Sequence, residues 1–107
     1  MADLTQQDWQ NGYKSDKEAV ILDVRTDAEV AFGLIPGAVH IDIYKGYEFL
    51  EQVKLLDWEK PYYVYCRVGE RSGQACNIMQ QLGFKYTYNL MGGMEQWHGP
   101  VTTKNED

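Results

Sequence analysis

Two short, almost wholly apolar runs constrain this chain more than any other feature. Ala19-Val20-Ile21-Leu22-Asp23-Val24 and Pro61-Tyr62-Tyr63-Val64-Tyr65 show no regular polar alternation. Runs of this length suit strands buried on both faces, the environment of a parallel sheet. Pro61 is tolerable because it opens its strand and removes no interior ladder donor. Such strands need helices to cover them, and the segments between supply helical patterns. Thr5 is placed to cap a helix from Gln6 to about Tyr13, with Asp8 three residues on. A short helix runs from Thr26 to Phe32, ended by Gly33, and another from Tyr47 to about Leu56 with Phe49, Val53 and Leu56 on one face. The clearest is Ser72 to Leu82, where Ala75, Ile78, Met79 and Leu82 form the stripe and Gly83 follows as a C-terminal cap. Ile35-Pro36-Gly37-Ala38 reads as a turn, Ala38 to Ile41 and Lys85 to Leu90 as further strands, and Met94 to His98 as a last helical turn. Strands alternating with helices specify an α/β domain with a mainly parallel sheet.

A chain of 107 residues has room for one domain. Its core is expected over about residues 5–100, with 101–107 as a flexible polar tail. The formal net charge of -6 repels phosphate backbones, so nucleic acid is not expected as a partner. The first residues lack a basic stretch followed by an apolar one, and no apolar run approaches the roughly 18 residues of a membrane span. A cytoplasmic location without membrane attachment is the resulting expectation. Cys66 and Cys76 are not spaced as C-x-x-C, and with only His40 and His98 beside them no metal set assembles. A cytoplasmic setting also argues against a structural disulfide.

The chemistry concentrates in Tyr65-Cys66-Arg67-Val68-Gly69-Glu70-Arg71-Ser72, between a buried strand and the best helix. Ligands of open parallel sheets bind beyond the carboxyl ends of strands, where Cys66 falls. Gly69 lets the short loop curl with its N–H groups inward, and inward amides at a helix start make an anion site. The thiolate, not the thiol, is the nucleophile, and such surroundings bring a cysteine pKa down to roughly 3.5–7.5. Arg67 and Arg71 against Glu70 leave one net positive charge on the loop, which favours the thiolate further. Cys76, inside a helix without basic neighbours, reads as an ordinary buried thiol.

Taken together, three segments resemble the rhodanese-like domain family. They are C-R-V-G-E-R-S at residues 66–72; Asp23-Val24-Arg25, Glu29 and Gly33-Leu34-Ile35-Pro36-Gly37-Ala38; and Asn89-Leu90-Met91-Gly92-Gly93-Met94-Glu95-Gln96-Trp97. Order and spacing agree from about residue 19 to 99, and the one departure is Leu34 where the family often has His. The resemblance implies a three-layer α/β/α fold around a central, mainly parallel sheet of four or five strands. It also implies a sulfurtransferase without a cofactor. Cys66 would take sulfur from thiosulfate or a similar small anionic donor as a persulfide and pass it to a thiol or protein acceptor. Arg67, Val68, Gly69, Glu70, Arg71 and Ser72 would form the cradle, with the two arginines binding the anion. Asp23, Arg25 and Glu29 are read as bracing residues, and Gly92, Gly93 and Trp97 as the floor of the site. Two other readings compete. One is a non-catalytic binding or regulatory module on the same fold. The other is a cysteine phosphatase or arsenate reductase, whose C-x5-R loop is one residue longer than the C-x4-R formed by Cys66 and Arg71.

Overall fold

A computed structural model describes residues 2–104. In chain order the elements are β1 (Ala2–Leu4), α1 (Gln6–Lys14), β2 (Val20–Asp23), α2 (Asp27–Ala31), β3 (Val39–His40), α3 (Tyr47–Lys54), β4 (Pro61–Tyr65), α4 (Glu70–Gln81) and β5 (Tyr86–Leu90). Single 3₁₀ turns occupy Ile43–Lys45 and Met94–Gln96. All five strands are parallel, in the order β1-β5-β4-β2-β3. The architecture is three-layer α/β/α, as the sequence predicts.

The apolar strands divide their side chains between two cores with a period of two. Tyr62, Val64 and Cys66 join Leu22, Val24, Phe49, Val53, Ala75, Cys76 and Met79 on the α3/α4 side. Tyr63 and Tyr65 join Trp9, Ile21, Ile35 and Leu90 on the α1 side. Trp9 is the centre of the second core, with Tyr13, Tyr63, Tyr65 and Trp97 all meeting it edge-on. Edge-to-face contacts of this kind put positive ring edges against a negative ring face.

Local signals account for most boundaries. The Thr5 side chain accepts from Asp8 N–H and opens α1. Thr26 and Glu29 form a reciprocal capping box on α2. Helix α4 starts at Glu70, two residues before the expected start at Ser72. Gly69, at φ 107°, makes the turn, and its carbonyl accepts from Gly73 N–H at 3.2 Å as the first helical bond. Glu70, Arg71 and Ser72 are therefore the first helical turn, whose N–H groups have no partner within the helix.

Two expectations are corrected at the ends. Residues 2–4 form an edge strand paired with β5, in register Ala2–Tyr88, Asp3–Asn89 and Leu4–Leu90, so the core begins before residue 5. Residues 101–104 are not a frayed tail: Leu34 and Thr102 exchange backbone hydrogen bonds of 2.8 and 2.9 Å in an antiparallel bridge. The rest of the expected tail, residues 105–107, lies outside the described residues. Among the described residues, no helix is long and apolar enough to cross a membrane.

Candidate active site

Strand β4 ends at Tyr65, so Cys66 stands at its carboxyl end in the middle of the sheet. Cys66 is fully buried, yet its sulfur is not in apolar surroundings. Gly69 N–H donates to Sγ at 3.1 Å, and the Ser72 hydroxyl lies 3.2 Å from it. Burial, the largest single influence, pushes the Cys66 thiol up. The Ser72 hydroxyl and the amides of Ser72, Gly69 and Val68 together outweigh it, and the pKa falls below its ordinary value. Hydrogen bonds to a charged group each contribute about 1.5–3 kcal/mol, enough for several to overcome desolvation. Cys76 makes the contrast within the same core: burial drives its thiol up to about 12.

The arginines do not act as expected. Arg71 places Nη1 at 2.6 Å and Nη2 at 2.8 Å from the two carboxylate oxygens of Glu29, a bidentate pair across the site. That pairing holds Glu29 down to about 2, so it persists well into acid. Arg67 is exposed and reaches Glu95 at 3.4 Å. Both guanidinium groups are matched to carboxylates; Arg71 still acts on the Cys66 sulfur through its charge, but neither arginine ranks with the hydrogen bonds among the leading influences there. The thiolate is favoured chiefly by oriented hydrogen bonds, not by the net charge that the loop sequence suggests. Val68 is exposed, and its N–H is one of those donors. Glu70, the first residue of α4, carries no hydrogen bond to the sulfur.

The bracing residues divide differently from their order in sequence. Arg25 pairs with Asp23, not Glu29, through Nε at 3.0 Å and Nη2 at 2.7 Å, and its second anchor is the Gly33 carbonyl at 2.7 Å. Both residues are buried, and the guanidinium carbon lies 5.4 Å from the centre of the Tyr65 ring. The backbone of residues 93–95 lies against the floor of the cradle, where the carbonyls of Cys66 and Arg67 accept from Met94 and Glu95 N–H at 2.9 and 3.0 Å. Gly92, at φ 79°, turns the chain into that floor. Trp97 lies elsewhere, packed 5.6 Å from Trp9 on the α1 side with its indole N–H on the Pro100 carbonyl. Beside the loop, Arg25, Glu29, Phe32, Arg67, Met94 and Glu95 line an open depression of about 270 Å³. Phe32, almost wholly exposed there, carried no sequence signal beyond a helix end.

This geometry can be set against known proteins. The model of the family described as "Rhodanese-like domain" matches residues 6–100. The chain belongs to the rhodanese-like domain family. A putative sulfurtransferase, YtwF, of Bacillus subtilis is 42% identical over 92 residues, covering 86% of this chain and 85% of that protein. The thiosulfate sulfurtransferase GlpE of Coxiella burnetii is 34% identical over 93 residues, covering 85% and 84%. Among solved structures, a rhodanese-like domain protein from Staphylococcus aureus superposes with a TM-score of 0.82 at 30% identity, covering 97% of this chain and 99% of that one. In this rhodanese-like chain, Cys66 to Ser72 thus occupy the junction of β4 and α4, with the sulfur among inward donors.

Proposed function

We propose that the protein is a rhodanese-type sulfurtransferase that carries sulfane sulfur on Cys66. The observation behind this reading is the convergence of the Ser72 hydroxyl and the Gly69 N–H on one sulfur atom. Such preorganised donors stabilise charge without reorganising during reaction. The Cys66 thiolate attacks the outer sulfur of thiosulfate or a similar donor, the S–S bond of the donor breaks, sulfite departs with the bonding pair, and the resulting Cys66–S–S⁻ takes a proton from water. An acceptor thiolate then attacks the outer sulfur of Cys66–S–SH and forms RSSH. The electron pair of the broken bond returns to Cys66 as a thiolate held by the same donors. Covalent catalysis divides the transfer into two easier displacements. Because Cys66 has no exposed surface, access to the sulfur is the demanding step.

The phosphatase reading is weaker than the sequence alone makes it. Its clamp would be Arg71, and both terminal nitrogens of that group are held by Glu29. A pure binding module leaves unexplained why a buried thiol is surrounded by donors that favour its anion. The test is mass spectrometry of the intact protein after thiosulfate treatment and removal of free donor. Gain of one sulfur atom, absent in Cys66→Ala, is the expected result. An unmodified wild-type chain would leave the binding-module reading standing.

A further inference from the structure

The Ser72 hydroxyl has a second neighbour besides the Cys66 sulfur: it also hydrogen-bonds Oδ1 of Asn89 on β5. Ser72 is fully buried and Asn89 nearly so. The Asn89 amide is held from its other end. Its Nδ2 donates to Oδ1 of Asp3 at 2.9 Å and to the Gly69 carbonyl at 3.0 Å. A carboxylate and a carbonyl only accept, so both must face the NH₂, and the Asn89 oxygen is forced towards Ser72. Asp3 reaches Asn89 because the two are register partners across β1 and β5.

A hydroxyl has one proton, and here two acceptors share it. When Cys66 is a thiol, the chain closes: S–H points to Ser72 and Ser72 O–H to Asn89. When the sulfur is an anion, the Ser72 proton must leave Asn89 for Sγ. We propose that Asp3, acting through Asn89, is a positioning residue that sets where the Ser72 hydroxyl rests and so how firmly the Cys66 sulfur holds negative charge. The consequence for turnover rests on the sulfurtransferase reading. While sulfur is loaded, the inner sulfur is uncharged and the hydroxyl rests on Asn89. As the acceptor takes the outer sulfur and the electron pair returns to Sγ, the hydroxyl rotates onto it. Stabilisation then appears only as charge develops, which is the form that accelerates a step.

Other charges near the sulfur sit in ion pairs, and Arg71, which acts on the sulfur through its charge, lies outside this chain of bonds. Arg71 of α4 is neutralised by Glu29 of α2, Arg25 by Asp23 at the end of β2, and Arg67 by Glu95. Glu70 opens α4, and Cys76 remains protonated.

The test is the pH dependence of Cys66 alkylation by iodoacetamide in the full chain, with Asp3→Asn as the variant. Asp3 is exposed on an edge strand and the substitution preserves its size, so the fold is retained, as an unchanged unfolding midpoint will verify. Without the carboxylate, Asn89 keeps the Gly69 carbonyl and a weaker amide acceptor, its own oxygen holds the Ser72 proton less firmly, and the alkylation midpoint moves to lower pH. Below the midpoint the rate rises about threefold or more, the scale of one redirected neutral hydrogen bond. In an Asn89→Ala background the relay is broken, so Asp3→Asn leaves the midpoint where it is, whereas a direct charge effect of Asp3 on the sulfur would persist there. Asp3→Glu restores the wild-type profile. An unchanged midpoint in Asp3→Asn, or a shift of the same size in the Asn89→Ala background, overturns the proposal. Because the readout is alkylation, a wild-type chain that never loads sulfur would refute the sulfurtransferase reading and leave this result intact.

Discussion

Replacing Gly93 with alanine will cost more than about 3 kcal/mol of stability and displace the loop that carries Cys66. A Cβ on Gly93 would collide with the backbone carbonyl of Arg67 and lie 2.7 Å from the carbonyl oxygen of Cys66. Neither obstacle is the end of a flexible side chain, so the whole loop must move. The backbone adds a second penalty: Gly93 sits at φ 57° and ψ -158°, a region essentially restricted to glycine, where another residue costs about 1–3 kcal/mol. Movement would break the two bonds by which Met94 and Glu95 amides hold the cradle carbonyls. Urea unfolding measures the loss, and the alkylation rate of Cys66 reports the loop. A Gly93→Ala protein with wild-type stability and reactivity would mean that the β5 end does not support the cradle.

The second large effect belongs to Asp23→Ala, which leaves a buried guanidinium without its counter-charge. Asp23 has no exposed surface and accepts from the Arg25 backbone N–H, Nε and Nη2. Once it is removed, Arg25 retains the Gly33 carbonyl and the Tyr65 ring, neither of which carries a compensating charge. Breaking a buried pair in this way costs about 3–5 kcal/mol, a large share of a domain's usual 5–15 kcal/mol. The reading of Asp23 and Arg25 as braces further predicts that the folded fraction of Asp23→Ala still gains sulfur on Cys66. A variant of wild-type stability that cannot be loaded would move this pair into the chemistry.

These two sites show which parts of the molecule were legible from sequence. Strand β4 was read over Pro61–Tyr65, because a run buried on both faces with Pro at its start has few other uses. The placement of Cys66 followed from that boundary. The start of α4 was misjudged because the sequence pattern does not reveal that Gly69 completes the turn and lets Glu70 and Arg71 become helical. Strand β1 carries too little apolar sequence to announce itself; its evidence is its partner, β5. The same limit hid the role of Arg71. Its carboxylate stands 42 residues away, and a loop charge counted without tertiary partners overstates the field at the sulfur. Asp3 and Asn89, 86 residues apart, meet only through strand register.

The central claim is that hydrogen bonds, led by that of Ser72, lower the pKa of Cys66 and favour its anion, and the alkylation titration of the wild-type chain beside Ser72→Ala tests it most directly. The thiolate is the reactive form, so the midpoint reports its pKa. The sulfur's pKa is lowered in the folded chain, so the wild-type midpoint lies below that of the same cysteine in the urea-unfolded chain. Losing one bond to the charged sulfur raises the midpoint by about one to two units in Ser72→Ala. A wild-type midpoint at or above that of the unfolded chain, or a Ser72→Ala profile superimposable on wild type, would contradict the account.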